Sequence, residues 1–310
     1  MNKKILIFVA FTGLIYAQNW AGQSGGFLRM GLTARSLAMG GGFTAELDQN
    51  FPVFHNPAWS SFLQRRYFGS SYTNLTMDRR LAATSFAMAL PPSAGVGVSW
   101  VYGGVNNIQG RYSTGMKSSK MQTGENALMV TFSQRFAPWL AVGANFKILR
   151  HDLPITESNQ VSGSGIGFDI GILINTGSRG SYGIMIQDIS SNYQWDTNEL
   201  YAQGRPYKDE FPTIYRLGSR HQNDKGLLFV WDIGLITNHE TYSGILPRFG
   251  VEYSFLEQYF FRGGYGNGRM AFGVGYEYEL FKSRDSHIDY AFSLDWASQS
   301  AHTISYAFNF

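Results

Sequence analysis

The chain has no cysteine in its 310 residues, which rules out disulfides and thiolate-bound metals. It is poor in charge: Asp, Glu, Lys and Arg make up 15% of it, against roughly 25% in an ordinary soluble domain. Past the N-terminus it also lacks any apolar run near the roughly 20 residues that a membrane-spanning helix requires. Its formal charge of +3 includes Lys3 and Lys4, so without them about +1 remains, too small a bias to attract nucleic acid. What is abundant is aromatic residues, at 16%, and glycine, with 36 residues, at a mean hydropathy of only -0.17. Low charge, many aromatics and no helical span point to a transmembrane β-barrel, whose apolar residues are diluted by alternation. A secreted β-sandwich is the competing reading.

Residues 1–17 read as a cleavable export signal. Lys3 and Lys4 supply the positive end, Ile5 to Tyr16 an apolar core, and Ile15-Tyr16-Ala17 a cleavage end before Gln18. Residues 18–65 form a glycine-rich N-terminal segment without two-residue periodicity. It is expected to plug the barrel or lie beneath it on the periplasmic side, with a short helix at Ala34–Met39 ended by Gly40-Gly41-Gly42. Residues 66–310 then alternate apolar with polar or small. In one strand Val96, Val98, Trp100 and Tyr102 oppose Gly97, Ser99 and Gly103; in another Ile288, Tyr290, Phe292 and Leu294 oppose Asp289 and Ser293.

The alternation predicts an up-and-down antiparallel barrel of about 14 strands. Short turns at Pro91–Ser93, Ala137-Pro138, Thr176–Gly180, Asn223–Gly226 and Leu256-Glu257 fall on one side, and the polar loops 106–124, 151–162 and 190–212 on the other. A sandwich has no reason to sort its connections in this way. The last strand ends in Phe310, as expected of a substrate for the barrel assembly machinery, and pairing it with the first strand would leave no open edge in lipid.

The same alternation sends charges inward: Asp169, Glu252, Arg262, Glu277 and Glu279, with Lys147, Arg216, Asp232, Arg248, Asp289 and Asp295. An ion-selective pore is one reading. The interleaved signs favour the other, internal pairs that hold a filled lumen, with Glu252 and Arg262 pairing across the Leu256-Glu257 turn. The loop aromatics Tyr193, Trp195, Tyr201 and Tyr207 could meet a partner or pack over the barrel mouth. Gly163, Gly165 and Gly167 share one strand face and are expected to relieve lumen crowding. The histidines His55, His151, His221, His239, His287 and His302 are scattered without metal-ligand spacing, and no nucleophile elbow is present. No cofactor and no enzymatic activity are expected.

Three stretches carry a family likeness. Phe27-Leu28-Arg29-Met30-Gly31, then Ala34-Arg35-Ser36-Leu37-Ala38-Met39-Gly40-Gly41, then Asn56-Pro57-Ala58 resemble the start of the PorV/PorQ outer-membrane proteins, within the wider FadL-like group of 14-stranded barrels. Two departures stand out: where that family often has an acidic pair between the last two marks, only Asp48 stands at that point, with Glu46 nearby, and Trp59-Ser60 replaces its Gly-Leu. The resemblance implies residence in the bacterial outer membrane among lipid and lipopolysaccharide. It also implies a role in type IX secretion, holding secreted protein cargo at the cell surface. The FadL-like alternative is passage of a hydrophobic ligand through the barrel. Arg35, Met39, Gly40, Gly41, Asn56, Pro57 and Ala58 are the residues that carry the motif.

Overall fold

A computed structural model of the chain describes residues 22–47, 51–155, 159–177, 179–198, 203–238, 241–280, 286–295 and 300–310. The expected export signal, Asp48, Tyr201 and the side chain of Asp295 lie outside them. Strands β1 (Tyr67–Leu75), β2 (Arg79–Leu90), β3 (Ala94–Arg111), β4 (Lys117–Ala137), β5 (Leu140–Pro154), β6 (Gln160–Asn175) and β7 (Gly180–Ile189) follow one another round a single sheet. After a hairpin, β8 (Asn192–Asp196) and β9 (Pro206–Glu210), the ring continues through β10 (Thr213–Gln222), β11 (Leu227–Asn238), β12 (Thr241–Phe255), β13 (Tyr259–Gly266), β14 (Arg269–Tyr278), β15 (Ser286–Asp295) and β16 (Ser300–Asn309). Setting the hairpin aside, 14 antiparallel strands close into a barrel.

Closure depends on β16 lying against β1, from Tyr67 opposite Asn309 to Leu75 opposite Ala301. Beyond the paired strands, the Phe310 N–H donates to the Arg66 carbonyl at 2.9 Å and the Arg66 N–H to the Phe310 carbonyl at 3.0 Å. In lipid each unpaired backbone group costs several kcal/mol, so the ring must close. Its outer face is apolar: Phe132, Phe272 and Ile304 are each more than half exposed, in a band of like residues that only lipid would cover.

The inner faces are small or polar. On β16, Ala301, Thr303, Ser305 and Ala307 are buried, while His302 and Ile304 between them face outward. Against these inner faces lies the N-terminal segment, built of two 3-10 turns (Gly26–Arg29 and Pro57–Phe62) and two short helices (Ala34–Ala38 and Pro52–His55). Inward glycines let it approach the wall. A Cβ at Gly143 would stand 2.5 Å from the Ala58 nitrogen, and one at Gly264 would meet the Met39 carbonyl carbon and the Gly40 nitrogen. Phe27, Trp59 and Met39 are buried between segment and wall.

The polar loops differ from expectation. Most of 106–124 continues β3 and β4 around a turn at 112–116, and β5 and β6 run on through much of 151–162. Outside the hydrocarbon layer a ladder no longer needs apolar outward residues, so polar sequence does not mark its end.

Gly143→Val should lower the denaturant midpoint in detergent, costing ~1–3 kcal/mol for the overpacked contact. Gly26→Ala, where an added Cβ meets nothing within 4 Å, should stay within about 0.5 kcal/mol of the parent. Equal midpoints for the two would contradict close packing of segment on wall.

Candidate functional site

The N-terminal segment is held by its own turns first. Thr33 caps the Ala34–Ala38 helix, its hydroxyl accepting from the Ser36 N–H at 3.3 Å, and the Ala34 N–H donates to Ser305 Oγ of β16 at 2.7 Å. The helix stops where Gly40 and Gly41 turn to φ +68° and +77°, and the Gly41 N–H returns to the Ser36 carbonyl at 2.7 Å. Gly40 abuts the Tyr265 and Phe249 carbonyls, so no side chain fits there. Asn56 closes the far end: its Oδ1 accepts from the Ala58 N–H at 3.1 Å, and its Nδ2 donates to the Thr44 carbonyl at 2.8 Å and to the Ile172 carbonyl of β6 at 3.2 Å. Pro57 starts the following turn, where its missing N–H costs nothing.

The short helix brings Arg35 to an ion-pair network. Its Nε and Nη2 each donate to the Glu252 carboxylate of β12 at 2.8 Å, and Nη1 lies 3.6 Å from Glu46. Glu252 also receives Arg262 Nε of β13 at 2.5 Å, and Arg262 Nη1 reaches Asp289 of β15 at 2.5 Å. Glu46 in turn accepts from Arg220 of β10 at 3.3 Å. A second buried group joins Lys147 of β5 to Asp169 of β6 at 2.6 Å and to Asp188 of β7 at 2.5 Å. Such two-pronged, buried pairs fix geometry, and losing one partner strands the other.

Of the inward charges read from the alternation, one leaves the lumen and one stands at its rim. Glu279 lies past the end of β14 and is exposed, because the strand stops at Tyr278. Glu277 is only half-buried, its N–H tied to the Gln258 carbonyl at the rim. Asp188 escaped the sequence reading. Gln187 and Asp188 are adjacent and both buried, which a regular strand forbids; φ is +62° at Asp188 and +52° at Ser190, and pairing with β6 shifts register there. Two neighbouring polar residues in Ile186-Gln187-Asp188-Ile189 were the available signal.

Past this bulge, β8 turns its aromatics inward. Tyr193 and Trp195 are buried, Tyr207 is exposed, and Tyr201 is outside the described residues. Of the two readings open for these aromatics, packing over the barrel mouth describes Tyr193 and Trp195, which are therefore no partner-facing surface. Room for them comes from β6: Gly163 lies under the Trp195 ring and Gly165 against the Asn192 carbonyl. The Tyr193 hydroxyl donates to Glu125 at 3.0 Å, and burial with that neighbouring carboxylate pushes the phenol well above its ordinary range.

Beneath the hairpin, at the end away from the short turns, is a cavity of about 520 Å³ whose lining includes Phe27, Met30, Leu75, Leu81, Tyr193 and Trp195. The opposite end holds one of about 840 Å³, lined in part by Phe62, Leu63, Pro91, Pro92, Arg135 and Arg220. Between them the segment carries His55, whose ring centroid is 5.0 Å from that of Phe43. Burial, and after it the charges of Arg216, Arg248 and Arg35, holds the imidazole at about 3.

No protein-family model matches the chain, and no curated protein sequence does. Solved structures do match in fold. A monoaromatic hydrocarbon channel, the TodX deltaS2S3 mutant, shares 16% identity over 90% of this chain and 99% of its own, at a TM-score of 0.64. The Ralstonia pickettii toluene transporter TbuX shares 16% over 90% and 98%, at 0.63. A Pseudomonas aeruginosa FadL homologue shares 13% over 90% and 98%, at 0.62. The chain has the fold of these barrels.

Arg35→Met should cost ~3–5 kcal/mol, because Glu252 and Glu46 lose a buried cation; an unchanged midpoint would remove the network from the account. The sign for His55 follows from its depressed value. Its neutral form is the one packed inside, so its contribution is complete above the ordinary pKa of 6.5 and is lost as pH falls toward about 3. Parent protein should therefore lose up to about 1.4 kcal/mol per pH unit below pH 6.5 relative to His55→Phe, read as unfolding midpoints across that range. Parallel pH profiles for the two proteins would contradict a neutral, enclosed His55.

Proposed function

We propose that the protein is an outer-membrane channel that admits small apolar molecules from the outside. The observation that carries this reading is the cavity of about 520 Å³ under the hairpin, whose aromatic and aliphatic walls are interrupted by Arg79, Arg80, Glu125, His151 and Asp209. That volume and lining suit a small organic ligand. Support comes from the fold, which is shared with proteins described as hydrocarbon channels and toluene transporters. These neighbours are channels and not enzymes, in keeping with a non-catalytic role. In this reading the N-terminal segment is the plug, and the ion pairs of Arg35 keep it seated.

Membrane lipid and lipopolysaccharide surround the apolar outer band, and the barrel assembly machinery reads the last strand through Phe310. The secretion-associated role implied by the Ala34–Gly41 and Asn56-Pro57-Ala58 motifs is the second reading. It rests on the motif residues, and the aromatic surface it would use is reduced by the inward turn of Tyr193 and Trp195.

Uptake of radiolabelled toluene, measured in a Gram-negative host with and without the protein, tests the proposal. Expression should raise the initial rate several-fold, and Leu75→Trp, which fills the cavity, should return it toward background. A rate equal to that of cells lacking the protein would overturn the reading. Stable co-purification of secreted proteins without uptake would favour the second.

A further inference from the structure

The chamber under the hairpin is only partly apolar, and the polar side chains in its wall differ in what they still have to offer. Two arginines and two carboxylates line it, Arg79 and Arg80 against Glu125 and Asp209. With the signs balanced, the lining holds no excess charge that would draw an ion. The groups are separated instead by whether their hydrogen-bonding capacity is already used.

The charged and hydroxyl donors are used or enclosed. Arg79 donates through Nε and Nη2 to the Thr76 carbonyl and hydroxyl at 3.0 and 3.2 Å. Arg80 turns toward the outer face of β3, its guanidinium 5.2 Å from the Tyr102 ring centroid, and its unpartnered Nε is buried. Arg29 is within electrostatic range of Glu125 but forms no ion pair with it. Its Nη2 donates to the Gln23 and Ser24 carbonyls, and its Nε and Nη1 are buried. The Ser24 hydroxyl goes to Asp209 and the Tyr193 hydroxyl to Glu125. Thr123 Oγ1 gives its one proton to the Asp152 carbonyl at 2.8 Å, so the His151 Nε2 that meets it at 3.2 Å carries the ring hydrogen.

The acceptors are left over. Glu125 receives the Tyr193 hydroxyl on Oε2, while Oε1 takes no hydrogen bond from a described residue and is not enclosed. Asp209 is engaged on one oxygen only, by Ser24. With its hydrogen on Nε2, the neutral His151 ring keeps a free lone pair on Nδ1. Rings adjoin these groups: the His151 centroid is 5.5 Å from that of Tyr193 and 5.3 Å from that of Trp195. A hydrocarbon filling the chamber would strip water from Glu125 and return no hydrogen bond. A site built to accept a hydroxyl discriminates against the analogue that lacks one for this reason.

We propose that the chamber selects a neutral aromatic alcohol of the phenol class, its hydroxyl donating to Glu125 and its ring lying against Phe27, Tyr193 and Trp195. The inference rests on the reading of this chamber as the ligand site of a channel, and it narrows that ligand to one with an apolar body and a single hydrogen-bond donor. Glu125 is the residue that sets the preference, and hydrocarbons of the same size bind more weakly.

Binding of 4-ethylphenol, ethylbenzene and 4-ethylanisole to the purified protein in lipid nanodiscs, with the signal of empty discs subtracted, tests it. The three share one body, and only the phenol can donate a hydrogen bond. The parent should bind 4-ethylphenol about tenfold more tightly than either of the others, as a hydrogen bond to a charged group allows. Glu125→Leu should erase the preference, and Glu125→Gln, whose amide oxygen still accepts, should keep part of it. Equal affinity for the phenol and the anisole overturns the proposal, as does a preference that survives in Glu125→Leu. Ethylbenzene bound as tightly as the phenol overturns this inference and leaves the channel reading standing, whereas no binding of any of the three above empty discs overturns both. If Glu125→Leu does not fold, the comparison of phenol with anisole in the parent decides alone.

Discussion

A ring of 14 strands is wider than its own inward side chains can fill, since about eight strands is the size at which they suffice. The rest of the structure answers that excess of space. Small inner faces such as Ala301, Thr303, Ser305 and Ala307 make the wall thin, and inward glycines such as Gly143 and Gly264 let a second piece of chain lie directly on it. Buried packing alone would not set the register of so irregular a segment. The carboxylate of Glu252 does, gathering Arg35 from inside and Arg262 from the wall.

Filling the ring divides the interior. The external cavity is bounded by Phe27 from the segment, Leu81 from the wall and Tyr193 and Trp195 from the hairpin, so all three parts contribute to one chamber of mixed, largely apolar lining. Its partial isolation from the polar interior follows from the bulge at Asp188, which ties the base of the hairpin to Lys147 while turning the residues above it inward. The same bulge leaves side-chain oxygens of Gln187, Asp188, Ser191 and Asn192 without a hydrogen-bond partner.

The barrel was legible because burial in lipid on one face imposes a strict two-residue period. Ile288, Tyr290 and Phe292 could face only one way, and the pairing of Glu252 with Arg262 follows from the turn between them. Where that constraint lapses, so did legibility. Beyond the lipid β3 and β4 continue in polar sequence, Glu279 falls past a strand end that the alternation did not mark, and β8 carries Tyr193 and Trp195 inward. The motif residues were visible as a group, but not their partners: nothing in the sequence joins Arg35 to Glu252, or Asn56 to the Ile172 carbonyl, except the closed ring itself.

The central claim is that the N-terminal segment fills the ring. Its most direct test is conductance in planar lipid bilayers, comparing the intact protein with one lacking residues 25–55, each checked for a folded barrel by its heat-modifiable migration. The account predicts that the intact protein shows no large steady open-channel current and that the shortened one conducts as a wide, water-filled pore. Equal conductance from the two would contradict it.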